Sequence, residues 1–179
     1  MSRREATKEA NRAAILAAAR AVFTEHGYEG AGVRDVIRRT DLAPGTFYNY
    51  FDGKDAVFRA VLEEAGADAR RQVREARLAA PTREGFVAEG FRAFFAFIAG
   101  DPATFAFLER NAEAVLPAAL DELREDLAGR LADGVDADYT AHAMVALGLR
   151  IGALMLTREP VSVDQATVFA ARLFSNVLR

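Results

Sequence analysis

Residues 33–54, VRDVIRRTDLAPGTFYNYFDGK, restrict the fold of this chain more than any other segment. Three apolar residues recur at the i, i+3 and i+4 spacing of a short amphipathic helix: Val33, Val36 and Ile37. After a turn at residues 41–43, Pro44 is a typical first residue of a second helix, because its missing N–H would be unpaired there anyway. The segment therefore predicts two short helices around a tight turn, with a third helix starting at Lys54.

The second of these helices has a polar surface that core packing does not explain. Phe47 and Phe51 lie four residues apart and are predicted to face the core. A glycine permits close approach of a backbone, hydroxyl groups can bind phosphate oxygens, and an asparagine amide can read a base edge in the major groove. Residues with these properties remain outside: Gly45, Thr46, Tyr48, Asn49 and Tyr50. We interpret the segment as a helix-turn-helix that reads DNA.

The residues beside the second helix support this interpretation. Asp41 is expected at a turn position with positive φ, which Asp tolerates better than most residues. Asp52 is predicted to cap the third helix. Lys54 follows in the first turn, where its ammonium group and the unpaired backbone N–H groups suit a phosphate.

These residues closely resemble the amino-terminal domain of the TetR family of transcriptional regulators over about residues 7 to 62. The resemblance is carried by a helix over residues 12–25 that closes with His26-Gly27-Tyr28, and by the motifs Val33-Arg34-Asp35-Val36, Gly45-Thr46-Phe47-Tyr48-Asn49-Tyr50-Phe51 and Lys54-Asp55. It implies that DNA is contacted by Arg34, Pro44, Gly45, Thr46, Tyr48, Asn49, Tyr50 and Lys54. Four residues depart from the family pattern, and they affect local stability and operator preference: Gly32, Ile37, Thr40 and Asp41.

The charge distribution agrees with this assignment. The chain of 179 residues has a net charge of −3, but residues 1–62 contain ten Lys/Arg and eight Asp/Glu, so the cationic end carries the motif.

No cysteine is present, which excludes disulfides, thiolate zinc sites and cysteine nucleophiles. There is no signal peptide pattern and no uninterrupted apolar run of membrane-spanning length, so we expect a cytoplasmic protein without a membrane partner.

Helical periodicity continues beyond residue 62 without a strand pattern, and the chain is predicted to be all-α, with about nine helices. Residues 1–53 would form a three-helix helix-turn-helix domain, and residues 54–179 a larger helical bundle for ligand binding and dimerisation. One of the bundle helices is predicted to begin at Pro117 and to run to about Ala132.

Aromatic residues recur in the bundle and suggest a cavity for an apolar or aromatic effector of unknown identity. The candidate lining residues are Phe91, Phe94, Phe95, Phe105, Phe107, Asn111 and Met144. Asn111 has two interpretations: its amide hydrogen-bonds a neighbouring backbone group, the favoured one, or it binds a polar group of the ligand.

Small residues recur along the last two helices, and mid-helix glycines suggest close approach of another helix. The resemblance implies that these two helices dimerise as a four-helix bundle. The predicted homodimer interface comprises Val145, Gly148, Gly152, Met155, Ala166, Ala170, Leu173, Phe174 and Val177. The alternative is that the same stripes close the core of a single chain.

No catalytic or metal-binding pattern is present. The two histidines, His26 and His142, are widely separated, and there is no phosphate loop, nucleophile elbow or HExxH motif. An enzyme that used Tyr139, His142 or Arg150 would therefore lack a recognisable set of catalytic residues, and no cofactor is expected.

The favoured function is a ligand-responsive regulator, acting as a repressor that binds a palindromic operator in double-stranded DNA as a dimer. The alternative outside this class is a helical protein-binding adaptor without DNA affinity.

Overall fold

The structure is a computed structural model, and it describes residues 2–174. Within these residues the chain forms nine α-helices and no β-strand, which confirms the predicted all-α class. The helices are α1 (Arg3–Gly30), α2 (Val33–Arg38), α3 (Pro44–Tyr48), α4 (Lys54–Ala79), α5 (Arg83–Gly100), α6 (Pro102–Arg110), α7 (Ala112–Leu127), α8 (Ala137–Leu156) and α9 (Val163–Leu173).

The chain divides into two compact units, the first ending at Ala65 and the second beginning at Gly66. The division falls inside α4, whereas the sequence suggested a boundary between residues 53 and 54. The first turns of α4 contribute Val57 and Val61, both fully buried, to the apolar core of the first unit. The start of α4 is therefore part of the helix-turn-helix unit.

In the first unit, α1 starts earlier than the sequence motif indicated, because Ser2 and Glu5 form a reciprocal cap. The Ser2 backbone N–H donates to the Glu5 carboxylate at 2.7 Å, and the Glu5 N–H donates to the Ser2 hydroxyl at 3.2 Å. Near the other end, Gly27 adopts a φ of 67°, which interrupts the helix where the His26-Gly27-Tyr28 sequence predicts its closure. The buried side chains of this unit include Ile15, Leu16, Val22, Phe23, Val36, Phe47 and Phe51.

The turn between α2 and α3 forms without a left-handed residue. No non-glycine residue among those described has a positive φ, so the conformation predicted for Asp41 is wrong. The Thr40 hydroxyl donates to the Ile37 carbonyl at 2.9 Å and accepts from the Leu42 N–H at 3.4 Å. Because this hydroxyl satisfies groups at the end of α2, the chain can turn there without positive φ.

In the second unit, α5 contacts α6, α8 and α9 and is therefore the central helix of this group. The chain bends by 105° between α5 and α6, where the Asp101 carboxylate caps α6 by accepting from the Thr104 N–H at 2.9 Å. The core around α5 includes Phe86, Val87, Phe91, Phe95, Ile98, Phe105, Leu123, Leu127, Ala141, Met144 and Met155.

The prediction that a helix begins at Pro117 is wrong, because α7 extends from Ala112 to Leu127 with Pro117 inside it. Pro117 lies in the second turn and is exposed to solvent. A proline there removes one backbone hydrogen bond near the start of the helix, which the remaining turns tolerate.

By length and composition, α8 is apolar enough to cross a membrane. It contacts α5, α7 and α9, and one of its faces lies in the core through Ala141, Met144, Gly148, Gly152 and Met155. Packing within the second unit thus accounts for the apolar composition of this face.

Candidate nucleic-acid interface and ligand cavity

The two phenylalanines of the helix-turn-helix hold α3 in the core of the first unit. Phe47 is 2% and Phe51 7% exposed, and their ring centroids are 5.9 Å apart. The Arg12 guanidinium lies 5.7 Å from the Phe51 ring centroid. Tyr48, next to Phe47, is 59% exposed, so α3 turns one face inward and leaves the opposite face to solvent.

The residues predicted to contact DNA lie on or beside this outer face. Arg34, Pro44, Gly45, Tyr48 and Asn49 are exposed, and Thr46, Tyr50 and Lys54 are half-buried. The structure therefore brings six of them together on one short segment, residues 44–50, with Arg34 on α2 and Lys54 at the start of α4 in the same unit.

Gly45 is open on the side where a side chain would be. A Cβ atom built on this residue would meet no heavy atom within 4 Å. The packing of the unit therefore does not require glycine at this position, although glycine lowers helix propensity. Close approach of an external backbone would be a physical reason for a glycine here.

The cations around α3 differ in how far they are already paired. Arg39 donates to the Glu25 carboxylate, with one contact at 3.0 Å, and this hydrogen bond lowers the pKa of Glu25 and raises the pKa of Arg39. Arg38 Nη1 lies 3.6 Å from Asp35 Oδ1, and the Arg38 side chain is 77% exposed. Arg34 is exposed and forms no ion pair with any described residue. Arg34 and Arg38 are thus the cations of α2 most available to a phosphate.

Lys54 lies against an aromatic ring that the sequence did not associate with it. Its ammonium nitrogen is 4.2 Å from the Tyr28 ring centroid, a distance typical of a cation–π interaction. The Tyr28 hydroxyl donates to Asp55, and this hydrogen bond raises the pKa of Tyr28. Tyr28 therefore orients Lys54 at the start of α4.

Asp35 supplies the cap that Gly32 lacks. The Gly32 backbone N–H donates to Asp35 Oδ2 at 3.1 Å, which pairs one donor at the start of α2. This role of Asp35 was not predicted from the sequence, although an acidic residue three positions after a cap is a recognisable signal.

The amino-terminal residues also match a known family. Residues 15–61 match the family profile described as bacterial regulatory proteins, tetR family. The amino-terminal domain of the chain therefore belongs to the TetR family. The match covers α2 and α3 completely, including the outer face of α3, and it confirms the resemblance seen in the sequence.

Part of the chain is also similar to named transcriptional regulators. The HTH-type transcriptional repressor DhaR of Mycobacterium sp. (strain GP1) is 38% identical over 52 residues, which cover 29% of this chain and 26% of DhaR. The HTH-type transcriptional regulator UidR of Escherichia coli (strain K12) is 29% identical over 75 residues, covering 42% of this chain and 38% of UidR. The chain therefore matches about a quarter to two fifths of the length of these relatives, which are regulators rather than enzymes.

A TetR-type fold extends through both units. The fatty acid degradation regulator FadR from Bacillus halodurans superposes with a TM-score of 0.74 over 91% of this chain and 93% of that chain, at 19% sequence identity. At this identity the comparison establishes the fold of the second unit and leaves its ligand open.

The second unit contains a cavity of about 150 Å³ between α4, α5, α6, α7 and α8. Four of the seven predicted residues line it: Phe91, Phe94, Phe105 and Met144. Phe95 and Phe107 are buried and do not line it, at 0% and 2% exposure. Asn111 ends α6 by donating to the Phe107 carbonyl at 2.7 Å, which is the favoured interpretation of its amide.

The cavity also includes residues that periodicity within single helices did not indicate. Besides Phe86 and Phe97, it is lined by four charged residues: Arg70, Arg77, Glu109 and Glu122. Arg70 and Arg77 lie on α4, and Glu122 on α7. The wall is thus aromatic on the α5 side and charged between α4 and α7.

The small residues predicted for the dimer interface lie mainly inside the chain's own core. Gly148, Gly152, Met155, Ala166 and Ala170 are buried. A Cβ on Gly152 would lie 2.3 Å from Ile98 Cδ1, and one on Gly148 would lie 3.2 Å from Phe94 Cε1. The close approach that these glycines indicated therefore occurs between α8 and α5. Val145 and Phe174 are half-buried, Leu173 is exposed, and Val177 lies outside the described residues.

No group of three His, Asp or Glu side chains within residues 2–174 could hold a metal ion. His142 is exposed, and its Nδ1 lies 2.8 Å from the Asp138 carbonyl oxygen on the preceding turn of α8. The candidate functional features of the described residues are the outer face of α3 and the cavity of the second unit.

Proposed function

We propose that this protein is a DNA-binding transcriptional regulator that acts as a cytoplasmic repressor. In this proposal it binds a palindromic operator as a homodimer and releases it when a small apolar or aromatic effector occupies the cavity. The observation that carries the proposal is the outer face of α3, where exposed Gly45, Tyr48 and Asn49 are held in place by buried Phe47 and Phe51. The repressor DhaR, which is 38% identical over 52 residues, supports the sign of regulation.

Asn49 is the residue of this face best suited to distinguish bases. Its amide offers a donor and an acceptor together, the pattern that pairs with adenine in the major groove. Tyr48, Arg34 and Lys54 would contact phosphates, which position the protein without reading sequence. The first unit contains ten Lys/Arg and ten Asp/Glu and so carries no net charge, so affinity would depend on these local contacts and on their duplication in a dimer.

We propose that the dimer forms through the exposed apolar faces of α8 and α9. Leu154 is 46%, Phe169 53% and Leu173 57% exposed. Leu154 and Phe169 line one groove between the two helices, and Leu173 follows Phe169 at the i+4 spacing of a common face. A contiguous apolar face of this kind favours burial against a second copy, and two-fold symmetry would match a palindromic operator.

Phe169→Glu is expected to convert the dimer to a monomer, because two copies of a charged group would be buried at a two-fold interface. Light scattering after size-exclusion chromatography measures the mass. Leu78→Glu, at a residue on α4 that is 45% exposed, is the matched control and should leave the mass unchanged. A wild-type chain that remains monomeric at micromolar concentration would exclude this interface.

The function is tested by selecting duplexes from a random-sequence DNA library with the purified chain. We expect enrichment of an inverted repeat whose half-sites lie about 34–36 Å apart or a multiple of it, as two recognition helices of a dimer require. Affinity should fall steeply as salt is raised. A selection without enrichment, together with no binding to duplexes of the host genome, would favour a protein-binding adaptor.

Gly45→Ala is expected to weaken operator binding about tenfold or more, because the added methyl group would separate the backbone from a phosphate and cost a charge-assisted hydrogen bond. The stability of the protein should change by less than about 1 kcal/mol, since the methyl group meets nothing inside the chain. Fluorescence anisotropy with the selected operator measures the affinity.

Gly100→Ala is the matched control, because it adds the same methyl group to open space at the end of α5. It should leave operator affinity unchanged. Equal affinities for wild type and Gly45→Ala would mean that no DNA backbone approaches this residue.

A further inference from the structure

The cavity of the second unit has a charged wall where α4 meets α7. Asp126 on α7 accepts hydrogen bonds from two arginines of α4: from Arg74 Nη2 at 2.9 Å and from Arg77 Nε at 2.9 Å. One turn away on both helices, Arg70 Nε donates to Glu122 at 2.9 Å. Three guanidinium groups therefore share two carboxylates along this contact.

Arg77 is the most buried charged group of the cavity wall. Its side chain is 8% exposed, compared with 41% for Arg74, so water can solvate the charge of Arg74 but hardly that of Arg77. Arg77 lines the cavity, whereas Asp126 is not among the lining residues. The cavity wall therefore includes Arg77 and does not include its counter-ion.

Both lining arginines retain donors for a further acceptor. Among the described residues, Arg77 donates through Nε and Nη2, and both bonds go to the same Asp126 oxygen. None of the hydrogen bonds between described residues uses its Nη1. Arg70 uses Nε for Glu122, while its Nη1 lies 3.1 Å from the Cβ position of Gly66, another lining residue. A buried guanidinium with unused N–H groups favours an anionic partner.

The acidic residues of the wall do not offset this preference. Glu122 is already bonded to Arg70, and Glu109, at the end of α6, is exposed. The rest of the wall includes the aromatic rings of Phe91 and Phe94. The volume of about 150 Å³ is that of an apolar cavity able to admit a benzene-sized molecule.

From this arrangement we infer that the cavity binds an amphipathic carboxylate, with its apolar body against the phenylalanines and its carboxylate on Arg77 and Arg70. This inference rests on the proposed role of the cavity as the effector site and adds the charge of the effector. The aromatic wall alone would accept neutral hydrocarbons and lipophilic cations equally well. The arginines are what would give the cavity a preference for an anion.

The test compares three probes that share one apolar body and differ in the head group: phenylpropionate, phenylpropanol and phenylpropylamine. Isothermal titration of the full chain measures the three affinities without DNA. We expect the acid to bind about tenfold or more tightly than the alcohol, because its carboxylate gains charge-assisted hydrogen bonds, and the amine to bind least. Octanoate and octanol repeat the comparison with an aliphatic body.

The Arg77→Met variant should lower the ratio of acid to alcohol affinity to about threefold or less, mainly by weakening the binding of the acid. Arg71→Met is the control, since Arg71 lies on the same helix, is 58% exposed and pairs with Asp68. If circular dichroism shows that Arg77→Met does not fold, Arg70→Met and Arg77→Lys replace it; the former should reduce the ratio and the latter should keep a preference for the acid.

The inference is overturned if the acid and the alcohol bind wild type equally, if the amine binds best, or if neither acid binds at millimolar concentration. Operator binding is measured separately. A chain that prefers the acid but binds no duplex would refute the proposed regulatory function and leave the ligand class standing.

Discussion

Phe47→Ala is expected to unfold the helix-turn-helix, with a loss of about 3–5 kcal/mol in the stability of the first unit. Phe47 is 2% exposed and contacts the rings of Tyr48 and Phe51, at centroid distances of 5.3 and 5.9 Å. Since α3 has only five residues, its backbone hydrogen bonds cannot hold it in place without this anchor. Operator binding should therefore be lost together with the structure of α3.

Hydrogen exchange of the α2 and α3 amides measures this loss directly, because it reports on the first unit separately from the second. Tyr48→Ala is the matched control at the next residue. Tyr48 is 59% exposed, so its removal should change stability by about 0.5 kcal/mol or less while weakening DNA binding. Native exchange rates in Phe47→Ala would contradict the view that Phe47 anchors α3.

The inner and outer faces of α3 were predictable from sequence because they depend on the spacing of residues within one helix. Phe47 and Phe51, four residues apart, lie inside as the helical period requires. The conformation of Asp41 was not predictable in this way. It depends on whether a neighbouring side chain satisfies the helix end, and the hydroxyl of Thr40 does so here.

Contacts between distant helices limited the prediction of the second unit. The small residues of α8 correctly indicated a close helix neighbour, but a stripe on one helix does not identify its partner, which is Ile98 of α5 for Gly152. Similarly, Arg77 and Asp126 lie 49 positions apart in the sequence. On their own helices they resemble a solvated charged face, and only the packing of α4 against α7 makes them buried partners.

Asp126→Ala is expected to destabilise the second unit by about 3–5 kcal/mol, the cost of leaving a buried charge without its partner. Asp126 is 5% exposed and accepts from both Arg74 and Arg77. Its removal leaves Arg77 buried without a carboxylate, and no ordinary pH deprotonates a guanidinium to relieve this. Unfolding in urea, followed by circular dichroism, measures the loss.

Glu125→Ala, at the neighbouring exposed residue, is the control and should change stability by about 0.5 kcal/mol or less. The double variant Asp126→Leu with Arg77→Met should recover most of the stability, because apolar residues of similar size avoid the desolvation of both charges. If Asp126→Ala cost less than about 1 kcal/mol, Arg77 would have to be hydrated in the folded protein. The charged wall of the cavity would then offer a carboxylate little more than water does, and the inferred preference for anionic effectors would lose its physical basis.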